Sequence, residues 1–162
     1  MAKFVIPDPF PPISLPGGFR LKSLADDCDW VKVNRVIWRG FNHPGEPPAG
    51  EEEIKEREKM FDTPSARRDL KIVVEAPNGD FASFSGMWYE PTNRYAYVEP
   101  VATDPDYRRM GLGKAAVLEG IRRCADLGAT VAYVGSDQEF YKSMGFKVIH
   151  TSECWVKRLD EG

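Results

Sequence analysis

The segment Asp104-Pro105-Asp106-Tyr107-Arg108-Arg109-Met110-Gly111-Leu112-Gly113-Lys114 leaves a strand-like run and enters a helical pattern. Glycine at 111 and 113 lets backbone N–H groups turn toward a ligand with no Cβ in the way. A helix start adds unpaired N–H donors and a partial positive charge, which together suit an anion. Arg108, Arg109 and Lys114 add charge, and the sequence alone does not choose among them. A solvated glycine turn ahead of a helix is the plain alternative, because short glycine patterns are weak on their own. Two nucleotide motifs fail. A P-loop requires glycine where Arg108 stands and Ser or Thr where Ala115 stands. A dinucleotide fingerprint could take Gly111, Gly113 and Ala116, but it follows its strand directly and needs an acidic residue at the end of the next strand, where Ser136 stands.

Downstream, Leu112 to Leu127 carries Leu118, Ile121 and Ala125 on one face, joined by Val117 and Cys124, and Gly128 is placed to end the helix. Ala129 to Val134 reads as a short strand. Ser136-Asp137-Gln138-Glu139 has the form of a capping box, opening a short helix to Met144 that Gly145 stops. Phe146 to Ile149 and Cys154 to Leu159 are expected to complete the sheet.

Upstream, Leu70 to Ala76, Phe81 to Tyr89 and Tyr95 to Thr103 read as an antiparallel meander, with Pro77-Asn78-Gly79-Asp80 as a hairpin turn. Gly18 to Leu24 is a first strand. The Asp26-Asp27 pair opens a helix in which Trp30, Val33, Ile37 and Phe41 recur at helical spacing. Gly40 to Gly50 is a loop, and Glu51 to Phe61 is a surface helix. Met1 to Gly17 carries proline at 7, 9, 11, 12 and 16. Proline has a fixed φ and no N–H, so an extended N-terminal arm is expected over residues 1–17, ahead of the domain at 18–162. Whether this arm packs on the surface, packs on a neighbouring subunit or lacks fixed structure stays open.

Taken together, Val101-Ala102-Thr103-Asp104-Pro105, Arg108-x-x-Gly111-x-Gly113 and Tyr141-Lys142-Ser143-Met144-Gly145-Phe146 carry a resemblance. The chain resembles the GNAT superfamily of N-acetyltransferases. Their Arg/Gln-x-x-Gly-x-Gly/Ala signature joins a strand to the main helix, and Tyr-x-x-x-Gly-Phe follows one helix and one strand later. The match covers about Tyr95 to Phe146. It implies an α/β (α+β) fold, with a mixed sheet of about six to seven strands flanked by about four helices. It also implies acetyl-CoA as co-substrate. One departure is that many members carry Asn where Ser136 stands, with a longer stretch before the tyrosine.

The resemblance further implies a site between two parallel strands that splay apart. Backbone groups of Val101, Ala102 and Thr103 would hold pantetheine. Arg108, Arg109, Met110, Gly111, Leu112, Gly113 and Lys114 would grip the pyrophosphate, with Ser136 at its border. Pro100 cannot donate to a ladder and marks a bulge or an edge. Glu99, just before it, is the candidate general base, acting directly or through water. Tyr141 is the candidate acid facing the thioester sulfur. The implied reaction is acetyl transfer from acetyl-CoA to a primary amine of a small molecule or peptide, by direct attack in a ternary complex. A non-catalytic CoA-binding sensor on the same fold is the alternative. The first helices, the Gly40–Gly50 loop and the hairpin around Trp88-Tyr89 would form the acceptor pocket.

The bulk composition agrees with one globular domain: 162 residues, 42% hydrophobic and 29% charged. A net charge of −3 argues against a nucleic-acid partner. Three separate cysteines, without a CxxC pair, and two histidines predict neither a metal site nor a disulfide framework. Cys124 is read as a packing residue, and His43 as a surface histidine with a place in the acceptor pocket as the alternative. No membrane-spanning run or signal pattern is visible, so a cytoplasmic setting is expected. The arm and the sheet edges make a homodimer a further expectation.

Overall fold

The computed structural model describes residues 1–63, 65–153 and 155–156. A seven-stranded mixed sheet runs through the molecule. Its strands are β1 (Ala2–Val5), β2 (Arg20–Ser23), β3 (Lys71–Glu75), β4 (Phe81–Glu90), β5 (Tyr95–Thr103), β6 (Val131–Val134) and β7 (Lys147–Val148). The spatial order is β2-β3-β4-β5-β6-β1-β7, and all neighbours are antiparallel except β5 and β6. Helices α1 (Trp30–Gly40), α2 (Glu51–Lys59), α3 (Leu112–Asp126) and α4 (Glu139–Lys142) complete the fold.

The sheet is covered on both sides, so β3 and most of β4 are buried on both faces. Under α1, Val33, Val36 and Ile37 meet Val73, Phe81, Phe84 and Ala102. Leu112 and Ala116 of α3 meet Ile72, Val74 and Ala82 on the other side. Further along α3, Val117, Ile121 and Cys124 join Met87, Val98 and Ala132. The stripe Trp30, Val33, Ile37 is therefore the packed one, and Phe41 at its end stays exposed.

Three local expectations change. Asp29, not the Asp26-Asp27 pair, caps α1 by accepting from Lys32 N at 3.0 Å. Asp26 is occupied in the preceding turn, where its carboxylate accepts from Ser23 N and Oγ at 2.9 and 2.7 Å. The capping box at Ser136 does not form. Its Oγ accepts from Gln138 N at 3.3 Å, and α4 begins only at Glu139, after Gln138.

The third change concerns the N-terminus. Residues 2–5 precede the first proline, and Ala2 and Phe4 alternate inward, so the chain inserts there as β1 between β6 and β7. The proline-bearing stretch then runs as coil, with Ile6, Phe10 and Ile13 packed beside the α3 core and Leu15 beside its first turn. The strand expected over Cys154 to Leu159 lies largely outside the described residues; Trp155 and Val156 within it are exposed and in no strand.

Candidate functional site

The parallel pair β5 and β6 sets up the site. Tyr95, Ala96 and Tyr97 pair with Val131, Ala132 and Tyr133, and no further pair joins the two strands. Beyond Tyr97 they part, and a cavity of about 740 Å³ opens between them. One wall is β5 from Tyr97 to Thr103; the other is Val134, Gly135 and Ser136. The floor and rim come from Arg108 to Lys114 (without Met110), from Gln138, Phe140, Tyr141 and Ser143, and from Gly40 and Phe41.

The expected bulge is present in β5. Ser85 pairs with Val101 and Met87 with Val98, so Glu99 and Pro100 together oppose Gly86. Glycine is required at 86, because a Cβ there would collide with the Glu99 carbonyl and lie 2.9 Å from Pro100 Cδ. The bulge presents Glu99 to solvent on the cavity wall. Its carboxylate forms no ion pair among the described residues, and its carbonyl accepts from Trp88 Nε1 at 3.1 Å.

At the mouth of α3 the chain turns through Arg109 at φ 65° and Gly111 at φ 80°. This left-handed geometry suits glycine at 111. Gly113 has a different reason to be small: a Cβ would lie 2.9 Å from Thr103 Oγ1 and 3.3 Å from Phe140 Cζ. The N–H groups of Arg109 to Lys114, six in succession, have no protein acceptor among the described residues. They stand at the positive end of a 15-residue helix. This donor set fits a diphosphate such as that of coenzyme A.

The cations of the loop separate into two kinds. Arg108 reaches back into the protein, donating to Thr103 O at 3.2 Å, Gly40 O at 2.9 Å and Asn42 Oδ1 at 2.8 Å. It fastens the loop to the end of α1. Arg109 and Lys114 are exposed and make no ion pair among the described residues. They are the charges left for an anion. Met110 does not line this cavity; it borders a second, smaller one shared with Pro12 to Pro16.

Sequence reasoning missed Asp104. It is fully buried at the end of β5 and takes Arg39 Nε at 2.7 Å and Arg35 at 3.2 Å, both from α1. The same Arg39 fork reaches Asp106 at 2.7 Å, and the Asp104 hydrogen bond holds Arg39 above its ordinary pKa. Two arginines of α1, distant from the loop in sequence, thus brace it before it turns. Nothing local in Asp104-Pro105 announces this partner; only the i, i+4 spacing of Arg35 and Arg39 hints that both lie on one helix face.

Tyr141 is buried against Phe140 and Phe146, with ring centres 4.9 and 5.7 Å away, and borders the cavity. Burial, with Tyr97 nearby, pushes its phenol above the usual range, so it keeps its proton. Tyr97 belongs to the site as well and was not foreseen. His43 is outside it: its ring packs against Trp38 in a tilted arrangement with centres 4.5 Å apart, beside a small depression by Glu46. Trp88 and Tyr89 do not line the cavity. Cys124 is fully buried, and burial pushes its thiol up to about 12. No helix of the described residues is long and apolar enough to cross a membrane, and no cluster of three or more metal-ligating side chains occurs among them.

A sheet parted between two parallel strands, with open helix-end amides at the fork, forms a cleft suited to an anionic ligand. Residues 30–146 match the model of the Acetyltransferase (GNAT) family, and the chain belongs to that family. A mycothiol acetyltransferase of Saccharomonospora viridis is 28% identical over 158 residues, which cover 88% of this chain and 50% of that protein. The chain spans about half the length of the curated relatives it matches. Among solved structures, a GCN5-related N-acetyltransferase from Sphaerobacter thermophilus superposes with a TM-score of 0.75 at 13% identity, covering 92% of this chain and 47% of that one. A GNAT family acetyltransferase from Brucella melitensis, solved with acetyl-CoA, gives 0.62 at 16% identity, covering 80% and 83%. Both likenesses concern the fold.

Proposed function

We propose that the chain transfers an acetyl group from acetyl-CoA to a primary amine of a small molecule or peptide, by direct attack in a ternary complex. The observation that carries this reading is the row of six open amides at the α3 mouth beside the parted strands. In this reading the amides of Arg109 to Lys114, with the Arg109 and Lys114 side chains, hold the diphosphate. The unpaired edge of Val101 to Thr103 holds the pantetheine arm, and Ser136 borders it from β6. Bound acetyl-CoA supplies an activated thioester.

Holding the two reactants together accounts for much of the rate, since effective molarities reach about 10⁵ M or more. Glu99, on the bulge, takes a proton from the bound ammonium group, directly or through water, and the amine so freed attacks the thioester carbonyl. Tyr141 holds a proton at Oη and releases it to the departing sulfur. Such acid–base groups add roughly 10²–10⁴-fold. The same reading carries a cytoplasmic setting and a homodimer; light scattering that returns a monomer removes the dimer.

Calorimetry with acetyl-CoA and with CoA tests the cofactor half. A panel of amines, read by CoA release and by mass shift, tests the other. It starts with mycothiol-related amines, since the relatives are mycothiol acetyltransferases. Glu99→Gln is expected to lower turnover roughly 10²-fold, within the range for a lost base; unchanged turnover points to another base or to none. Cofactor binding without turnover of any amine would turn the chain into a CoA sensor.

A further inference from the structure

Behind the bulge lies a charge that the reaction does not use. Lys71, at the start of β3, is 1% exposed and pairs across the sheet with Gly86. Its Nζ donates to Met87 O at 2.8 Å, the one hydrogen bond it makes among the described residues. Aromatic faces stand where further acceptors would be: Nζ lies 3.7 Å from the centre of the Trp88 ring and 5.8 Å from that of Phe61. A desolvated ammonium this close to an indole face is held strongly by the ring quadrupole. A lysine is rarely buried without a carboxylate partner, and no ion pair reaches Lys71 among the described residues.

Trp88 joins this charge to the site. Its ring meets Lys71, and its Nε1 donates to Glu99 O at 3.1 Å. Lys71 also grips the carbonyl of Met87, the residue at which β4 regains its register beyond the bulge. One side chain therefore touches both the backbone and the indole that frame Glu99 and Pro100. We propose that Lys71 is a positioning residue for the transfer site: it fixes the Trp88 indole, and the indole fixes the Glu99 carbonyl at the bulge. This rests on the acetyl-transfer reading for its effect on rate, but the linkage itself is a property of the fold.

Burial lowers the Lys71 pKa to about 8, so the charge over the indole is lost within an accessible pH range. Cys124 of α3 is the other titratable group set against Lys71, and it stays a thiol across that range. The test uses the full chain labelled with ¹⁵N, with the Trp88 indole N–H signal assigned by its loss in Trp88→Phe. From pH 6.5 to 9.5 that signal is expected to shift with a midpoint near 8, and Lys71→Met is expected to abolish the shift.

On the reactive side, Lys71→Met should lower kcat about tenfold and leave KM for acetyl-CoA within about twofold. In a Trp88→Phe background it should change kcat less than about twofold, the non-additivity of residues acting in series. A Trp88 signal indifferent to pH overturns the linkage, whether or not Lys71→Met folds. A tenfold loss that persists in the Trp88→Phe background overturns the route through the indole. Wild-type protein that binds no acetyl-CoA removes the acetyltransferase reading and leaves the indole titration to decide the linkage.

Discussion

The two ends of β5 differ in how they use their backbone. At Tyr95 to Tyr97 the strand has partners on both sides, β4 and β6, and Tyr95 and Tyr133 close the seam with rings 5.7 Å apart. From Val98 onward the β6 side is empty of partners, a bulge follows, and the chain runs into six amides without acceptors. The first N–H groups of a helix lack intrahelical partners. Six in a row left open, at a helix mouth beside two cations that make no ion pair among the described residues, suit an anionic ligand. One end of the strand holds the sheet together, and the other is shaped for something that is not protein.

Breaking the open end gives the largest effect. Gly111→Asp puts a carboxylate among the amides and a Cβ at φ 80°, while nothing in the protein lies within 4 Å of that position. Asp tolerates left-handed geometry better than most residues, so the fold should survive. The Kd for CoA is expected to rise at least about 100-fold, or about 2.7 kcal/mol, in calorimetry. An affinity within about threefold of wild type would mean that these amides do not hold the cofactor.

The open end was also the more legible one. Its glycines and its helix start are local patterns, and the Tyr-x-x-x-Gly-Phe run adds meaning through the family resemblance. The bulge was legible for the same reason, since Pro100 cannot complete a ladder. What stayed hidden depends on distant partners. Asp104 looks like an ordinary turn residue until α1 brings Arg35 and Arg39 to it. Lys71 looks like a strand-edge lysine until Gly86, Trp88 and Phe61 enclose it. Ser136-Asp137-Gln138-Glu139 has the spacing of a capping box, yet the helix starts later. The four residues before the prolines of the arm form a strand through their pairing with β6 and β7, which lie far along the chain.

Tyr141 sharpens the comparison inside the open end, because it separates holding the cofactor from turning it over. Tyr141→Phe keeps the ring packed on Phe140 and Phe146 and removes one hydroxyl. Turnover is expected to fall roughly 10²-fold, within the range for a lost acid, with CoA affinity unchanged within about twofold. The pH dependence has a definite sign. The acid form is the active one, and burial raises its pKa above the ordinary phenol value. Wild-type kcat should therefore hold through neutral pH and decline only beyond the usual phenol range. The variant should lack that alkaline limb. Equal turnover in the two proteins would remove Tyr141 from the mechanism.

The smallest effect belongs to the closed end, and it asks whether the two ends are independent. There Tyr89 donates to Leu127 O at 2.7 Å and Arg94 to Gly128 O at 2.9 Å, tying the β4–β5 turn to the end of α3. Tyr89→Phe deletes one neutral hydrogen bond at the surface, expected to cost about 0.5–1.5 kcal/mol in urea unfolding. CoA affinity and kcat should stay within about twofold, because the change is anchored to the far end of α3 from the amides. If either moved further, α3 would be transmitting strain along its length. The open amides would then owe their geometry to the closed end as well as to Asp104 and the arginines that brace it.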